Sequence, residues 1–299
     1  MPSTRLSTSA WRQKQHWPGI RWQPNQRKAI PIYSTVCRDL SSSDRYLTIG
    51  WAPVRLVGMR PNSVFRKLKV FEACMVPWEF LDRAPVPGSK GELRLYKRGE
   101  EFSIRLDRCE LMNSRMHGSE DALAELACAR VADRSRPQVL IGGLGMGYTT
   151  AAALQRLRAD GKLVVAELVP AVVKWNRGPL ADLAGRPLQN DRVTVREVDV
   201  AQILKVEHRT YDAILLDVDN GPEGLTRKGN DWLYSRAGLD AAFTTLRPAG
   251  VLAVWSASAD RAFAQRLREA GFEVDEVHVR SRSSGKGARH TIWLAGRSP

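Results

Sequence analysis

The sequence predicts an α/β fold in which a Rossmann-like, seven-stranded sheet with an antiparallel last strand follows a small N-terminal β module. First, the apolar residues 139–141 lead through a glycine turn into a helical segment. Second, strand and helix patterns then alternate, which is typical of a mainly parallel sheet with helices on both faces. Third, a loop at 281–287 joins the last two apolar segments, so we expect them to pair antiparallel at one edge. The strand candidates are residues 139–141, 162–166, 193–198, 211–216, 251–256, 272–279 and 291–295.

Residues 1–74 carry most of the positive charge. They hold 13 Lys and Arg against 3 Asp and Glu, in a chain whose formal net charge is +14. No sustained helix or strand period runs through them, so we expect a basic, disordered or non-native extension. Three interpretations stay open. The segment is an arm that binds nucleic-acid phosphates and stacks tryptophans on bases, a targeting peptide, or non-native sequence ahead of a true start at Met75.

The predicted β module spans residues 75–115. Apolar and polar residues alternate over 92–97 and 101–106, on either side of a turn at 98–100, which is typical of a β-hairpin. The following segment has apolar residues at helical spacing, and Ser119 is its expected N-cap. The nucleoside-binding domain is expected to occupy residues 116–299.

Composition excludes several classes of protein. No apolar run approaches the roughly 18 to 20 residues of a membrane span. The four cysteines form no C-x-x-C pair, and the five histidines do not cluster with them. We therefore expect no metal site, no disulfide framework and a cytoplasmic location.

The glycine turn predicts a nucleoside-binding site. Glycines 142, 143, 145 and 147 lie between an apolar strand and a helix, where the backbone can approach a ligand closely. A dinucleotide fingerprint starting at Gly143 needs a glycine at position 148, which is Tyr148 here. The spacing therefore favours an S-adenosyl-type nucleoside over NAD. A plain strand-to-helix turn without a ligand is the alternative.

Three acids end predicted strands, at the edge of the sheet where ligands of this kind of fold bind. Glu167 is placed to accept hydrogen bonds from the ribose hydroxyls. Asp199 is placed to accept from the adenine amine, with Val200 beside the ring. Asp217 is placed beside the reactive end of the nucleoside, where a carboxylate can orient an amine and receive its proton.

Each of these acids also has a purely structural interpretation. Glu167 is then an ordinary exposed acid at a strand end. Asp199 is the cap of a helix that starts near Ala201, a role compatible with adenine binding. Asp217 and Asp219 are then turn residues.

With these residues in place, the chain resembles the spermidine synthase family, within the class I fold of S-adenosylmethionine-dependent methyltransferases. The resemblance covers roughly residues 90–299 and is strongest from Val139 to Asp217. It implies that Gly142, Gly143, Gly145 and Gly147 form the glycine-rich loop. It also implies that Glu167 binds ribose, that Asp199 and Val200 bind adenine, and that Asp217 is catalytic.

The chain departs from this family at the acceptor side. Gly145 stands where polyamine-forming members carry an Asp, and Asn220, next to Asp219, replaces a second acid. The Tyr and Gln that help to hold the diamine fall on Ser119 and Glu120. The candidate acceptor-site residues are Asp219, Asn220, Tyr234 and Glu120.

We therefore expect a transferase that uses S-adenosylmethionine or its decarboxylated form as co-substrate, without a metal. Resemblance favours aminopropyl transfer to a small-molecule amine, as in polyamine biosynthesis, whereas the missing acids favour methyl transfer. A non-catalytic nucleoside- or RNA-binding protein is the alternative from another class, and nucleic acid is a partner only if residues 1–74 are native. The resemblance also implies a homodimer, and no membrane partner is expected.

Overall fold

The structure is a computed structural model that describes residues 45–49, 52–56, 76–107, 109–218, 231–282 and 287–299. Contacts divide the chain into two units, Met1–Met75 and Val76–Pro299. In the first unit, the described residues form an antiparallel hairpin of β1 (Arg45–Ile49) and β2 (Ala52–Leu56), where the sequence pattern predicted no strand. The role of residues 1–74 and the domain boundaries stay predictions.

The second unit contains two sheets with helices packed against them. Its strands are β3 (Glu79–Pro85), β4 (Glu92–Arg98), β5 (Glu101–Leu106), β6 (Cys109–Asn113), β7 (Gln138–Gly142), β8 (Lys162–Ala166), β9 (Val193–Arg196), β10 (Tyr211–Leu216), β11 (Leu246–Ser256), β12 (Glu273–Arg280) and β13 (Arg289–Gly296). Its helices are α1 (Gly118–Ala129), α2 (Tyr148–Arg156), α3 (Pro170–Arg177), α4 (Val200–Val206), α5 (Asp231–Tyr234), α6 (Arg236–Thr245) and α7 (Arg261–Glu269), with a short 3-10 turn at Pro187–Gln189.

The larger sheet has seven strands in the order β12-β13-β11-β10-β7-β8-β9. The pairs among β7 to β11 are parallel, whereas β13 is antiparallel to both of its neighbours, β11 and β12. The predicted mainly parallel sheet with an antiparallel last strand is therefore confirmed. The last two strands pair as predicted, and β12 rather than β13 occupies the edge.

The two faces of this sheet are covered by different helices. Side chains of β10 alternate between the faces: Ala213 and Leu215 pack on one side, and Ile214 and Leu216 on the other. Helices α1, α2 and α3 contribute to the first core, whereas α4, α6 and α7 contribute to the second. Every residue of β10 is buried, as expected for a central parallel strand.

The smaller sheet is antiparallel, in the order β3-β4-β5-β6, and it includes the predicted hairpin as β4 and β5. Leu93, Leu95, Phe102 and Ile104 are buried on one face and join the core formed by α1 to α3. This packing holds the small sheet against the main sheet, so that residues of β6 reach the glycine turn.

One buried carboxylate lies at the amino ends of the central parallel strands. Asp212 at the start of β10 accepts hydrogen bonds from Arg134 at 2.5 Å, from Arg247 at 2.9 Å and from the backbone N–H of Gln138 at 2.7 Å. Asp212 is almost completely buried. Because buried charges need such partners, this cluster connects β7, β10 and the start of β11.

The sequence predicted the start of one of the first two helices correctly and the start of the other wrongly. Helix α2 begins at Tyr148 as the sequence predicts, with Gly147 as its N-cap. The prediction that Ser119 caps α1 is wrong, because the helix begins at Gly118 and its N-cap is His117. Ser119 lies inside the first turn with its side chain fully buried.

Two further findings concern the described residues only. None of their helices combines the length and the hydropathy needed to cross a membrane. Within the same ranges, no group of three or more His, Cys, Asp or Glu side chains is placed to hold a metal ion.

Candidate active site

A cavity of about 330 Å³ opens at the carboxyl ends of the parallel strands, between the main sheet and the smaller sheet. Its volume falls in the range of small-molecule sites, about 300–1,000 Å³. Seven of the residues singled out in the sequence line it: Glu120, Gly143, Gly145, Glu167, Asp199, Val200 and Asp217. Gly142 and Gly147 belong to the same loop without lining the cavity. Asp219 and Asn220 lie outside the described residues.

The glycine turn brings β7 against the end of β10. Gly143 has a φ of +91°, and a Cβ at this position would overlap the backbone carbonyl of Asp217. The N–H of Asp217 donates to the carbonyl of Gly142 at 2.9 Å. Only glycine fits this combination of left-handed backbone and close approach. The turn therefore sets the distance between the loop and the acid at the end of β10.

Gly145 faces the thioether of Met112, which projects from β6. A Cβ at Gly145 would lie 3.1 Å from the Met112 sulfur. The carbonyl of Gly145 accepts a 2.8 Å hydrogen bond from Asn176 of α3. Because Met112 occupies the space into which a side chain at Gly145 would project, this part of the cavity is apolar rather than acidic.

Glu167 is held by the backbone of two loops. Its Oε2 accepts from the N–H of Leu144 at 2.9 Å, and its Oε1 accepts from the N–H of Val169 at 2.8 Å. The side chain is buried, so the interpretation as an ordinary exposed acid is wrong. Burial raises the pKa of Glu167, and these backbone donors oppose the rise. The backbone groups of Leu168 and Gly145 also stabilise this carboxylate.

Asp199 is the N-cap of α4. Its Oδ1 accepts from the N–H of Ala201 at 2.9 Å, so the helix-cap interpretation is confirmed. The same residue and Val200 line the cavity. Their predicted contact with adenine stays a prediction.

Asp217 follows β10 and lines the cavity beside Gly143. Thr149, in the first turn of α2, donates its hydroxyl to Asp217 Oδ2 at 2.6 Å. Burial raises the pKa of Asp217 to about 6, and the Thr149 hydrogen bond opposes the rise. A carboxylate with such a pKa is ionised at neutral pH and accepts a proton more readily than an ordinary Asp.

Glu120 is the second acid of the cavity. Its Oε2 accepts from the hydroxyl of Ser119 at 2.6 Å. Burial raises the pKa of Glu120 to about 8, and the negative charge of Asp217 adds to the rise. Glu120 and Asp217, hereafter the acid pair, therefore share one proton near neutral pH.

Tyr234 lies under the residue that follows Asp217. It is buried, its hydroxyl donates to the carbonyl of Val218 at 3.2 Å, and its ring packs edge-on against Phe263. Val218 lines the cavity, whereas Tyr234 does not. Its role at the acceptor site stays a prediction.

Sequence reasoning missed several residues of this cavity. His290 on β13 and Trp255 on β11 both line it, and their rings pack edge to face at 4.8 Å between centroids. Thr149, which bonds to Asp217 without lining the cavity, was not singled out either. Neither His290 nor Trp255 belongs to a motif. The one signal for Trp255 was its position near the end of a predicted strand, at the edge of the sheet where ligands bind.

The comparisons with known proteins concern mainly the fold. No protein-family model matches this chain, and no curated protein does. Among solved structures, spermidine synthase from Thermotoga maritima is similar with a TM-score of 0.57 and 14% identity, over 73% of each chain. Spermidine synthase in complex with the transition state analogue AdoDATO gives a TM-score of 0.57 and 14% identity, over 73% of this chain and 72% of the other. The chain therefore has the spermidine synthase-like fold that the sequence resemblance implied.

Proposed function

We propose that this chain is an aminopropyltransferase-like enzyme. It binds decarboxylated S-adenosylmethionine as co-substrate and transfers the aminopropyl group to a small amine. The observation that carries the proposal is the acid pair, Glu120 and Asp217, in a cavity beside the glycine turn. Two desolvated acids beside a nucleoside loop suit a substrate that arrives as a cation and leaves a proton behind.

The nucleoside half of the cavity supports this assignment. Gly143 lets the loop backbone approach the ligand, and Glu167, held in place by backbone N–H groups, presents a carboxylate to the cavity. Asp199 and Val200 line the side where the base would lie. These residues would hold a nucleoside, whose sulfonium supplies the electrophilic carbon.

The acid pair would act on the acceptor. An amine nitrogen attacks the carbon next to the sulfonium sulfur, so a C–N bond forms and the C–S bond breaks, and the sulfur keeps the bonding electron pair. Alignment behind the C–S bond provides much of the rate, because the reaction becomes effectively unimolecular. The nitrogen must lose a proton, and Asp217, ionised at neutral pH, receives it.

A second candidate, methyl transfer from S-adenosylmethionine, is favoured by Gly145 and Met112. The sulfur of Met112 fills the space that a side chain at position 145 would occupy. An ammonium group at this point would meet a thioether rather than a carboxylate. A charge-assisted hydrogen bond of about 1.5–3 kcal/mol would be lost.

Calorimetry separates these candidates. The full-length chain is titrated with decarboxylated S-adenosylmethionine, S-adenosylmethionine and methylthioadenosine. We expect the decarboxylated form to bind more tightly than S-adenosylmethionine. The reverse order would replace aminopropyl transfer by methyl transfer. If none of the three binds, the nucleoside site itself is refuted.

Turnover tests the acid. With an amine mixture as acceptor and products detected by mass spectrometry, Asp217→Asn is expected to lower turnover by about 100-fold or more and to leave nucleoside binding unchanged. Asp182→Asn is the matched control, because the carboxylate of Asp182 is exposed and pairs with Arg186 away from the cavity lining. Equal turnover of Asp217→Asn and wild type would remove Asp217 from the mechanism.

A further inference from the structure

A row of hydrogen bonds leads away from the acid pair. Ser119 Oγ lies 2.6 Å from Glu120 Oε2 and 2.9 Å from His290 Nδ1. Glu120 and His290 both line the cavity, whereas Ser119 is fully buried between them. The first turn of α1 and the last strand, β13, are thereby connected by one hydroxyl.

The surroundings of this row are acidic or neutral. Glu120 is faced by Asp217 from the end of β10, by Asp121 from its own helix and by Tyr148 from α2. Asp121 is bonded to His117 at 2.8 Å, and the pKa of Tyr148 is raised to about 12 by burial and these acids, so its hydroxyl stays protonated. Trp255 is the ring that packs against His290, and burial lowers the pKa of His290.

A hydroxyl between an acid and an imidazole can pass a proton from one to the other. The Ser119 O–H donates to Glu120 when that carboxylate is ionised. When the shared proton lies on Glu120, the hydroxyl turns, so that Glu120 donates to Ser119 Oγ and the Ser119 O–H donates to His290 Nδ1. Shifting both protons by one bond leaves Glu120 as a carboxylate and His290 as an imidazolium. His290 then loses the proton on Nε2 to water, because its ring is only partly buried and its lowered pKa disfavours the charged form.

We propose that Ser119 and His290 relay to solvent the proton that the acceptor amine gives to the acid pair. The proposal rests on the proposed function. Nucleoside and acceptor bound beside the acids would exclude water from them, whereas His290, at the other end of the row on β13, would have to reach water outside the bound ligands.

The coupling between the two acids favours this release. When Asp217 takes the proton of the amine, its negative charge disappears, and that charge is, after burial, a cause of the raised pKa of Glu120. Glu120 then releases its own proton to Ser119. One proton enters at Asp217 and one leaves at His290. The resting state returns when the proton on Asp217 passes to Glu120, the Ser119 hydroxyl turns back toward His290, and His290 exchanges its Nδ1 proton for one on Nε2 with water.

Kinetics of the full-length enzyme test the relay. Ser119→Ala and His290→Gln are each expected to lower kcat by about 10-fold to 100-fold, with KM for the amine and nucleoside binding unchanged. Added imidazole should restore part of the kcat of His290→Ala. His278→Gln is the matched control, since His278 lies on β12, contacts Thr291 at 3.3 Å and does not line the cavity.

A direct readout guards against misfolded variants. Long-range ¹H–¹⁵N NMR compares wild type with Ser119→Ala. We expect the tautomer and the titration of His290 to differ between the two proteins, and those of His278 to be the same. Thermal unfolding checks that each variant is folded.

The outcomes are distinguishable. Wild-type transfer combined with normal kcat in both Ser119→Ala and His290→Gln would overturn the relay and keep the proposed function. A lower kcat without any change in the titration of His290 would also overturn the relay, because the role of Ser119 would then be structural. Absence of transfer in the wild type would overturn the proposed function and the relay with it.

Discussion

Replacing Glu120 with Gln should remove a pH-dependent loss of stability. Burial and the charge of Asp217 raise the pKa of Glu120 from an ordinary 4.5 to about 8. The folded state therefore binds this proton more tightly than the unfolded state does. The free energy of unfolding then falls as the pH rises from about 4.5 to about 8. Gln has no proton to lose, so the variant lacks this part of the decline.

The magnitude follows from the shift. Each pKa unit corresponds to about 1.4 kcal/mol, so a shift of this size corresponds to about 5 kcal/mol as an upper bound. Glu120 is partly exposed to the cavity, and solvent screening reduces the effect. We expect Glu120→Gln to exceed wild type in stability by about 3 kcal/mol at pH 9 and to match it near pH 5.

Urea unfolding at several pH values between 5 and 9 measures this difference. Above pH 7 the titration of Asp217 adds little, since its pKa is about 6. Glu125→Gln is the control, because Glu125 lies on the same helix but is exposed and paired with Arg156. In the control, the free energy of unfolding should change with pH as it does in wild type. If it changed with pH equally in Glu120→Gln and in wild type, the burial of an ionisable acid at this position would be refuted.

The remaining predictions concern the fold and the loop. Asp212→Ala should lower the free energy of unfolding by about 3 kcal/mol, because three donors lose one buried partner, and a loss under about 1 kcal/mol in urea unfolding would contradict this. Gly143→Ala should abolish nucleoside binding in calorimetry, since its Cβ would overlap the carbonyl of Asp217, and normal binding would contradict the turn geometry. Cys128 is buried with its pKa raised to about 12, so alkylation mapped by mass spectrometry should modify the exposed Cys109 and spare Cys128 in the folded protein.

Much of the main sheet was predictable because its strands are short apolar runs with clear ends. Strands β8 and β10 begin and end at the predicted residues. Strand β11 starts five residues earlier than predicted, at Leu246, because Pro248 and Gly250 indicate a turn in the sequence. The structure accommodates them in an irregular stretch with a register shift against β10.

The position of the acids was predictable for a simple reason. Parallel strands end at the same edge of a sheet, so Glu167, Asp199 and Asp217 had to lie near one another once the strands were recognised. The contact between Ser119 and His290 follows from no local pattern, because it joins the first helix of the domain to its last strand. Sequence spacing also carries no information on desolvation, which dominates the pKa values of Glu120 and Asp217.

The acid pair argues for function more strongly than the glycine loop does. Packing alone is enough to explain a turn such as that of Gly143, because the close approach of this glycine to Asp217 holds two strands together. Glu120 and Asp217, by contrast, cost stability at neutral pH, because burial disfavours the charge of each acid and the charge of Asp217 further disfavours that of Glu120. Stability alone would favour an apolar residue or an amide at position 120. An acid that weakens the fold yet lies in a cavity with a hydrogen-bonded route to His290 is better explained by proton transfer than by structure.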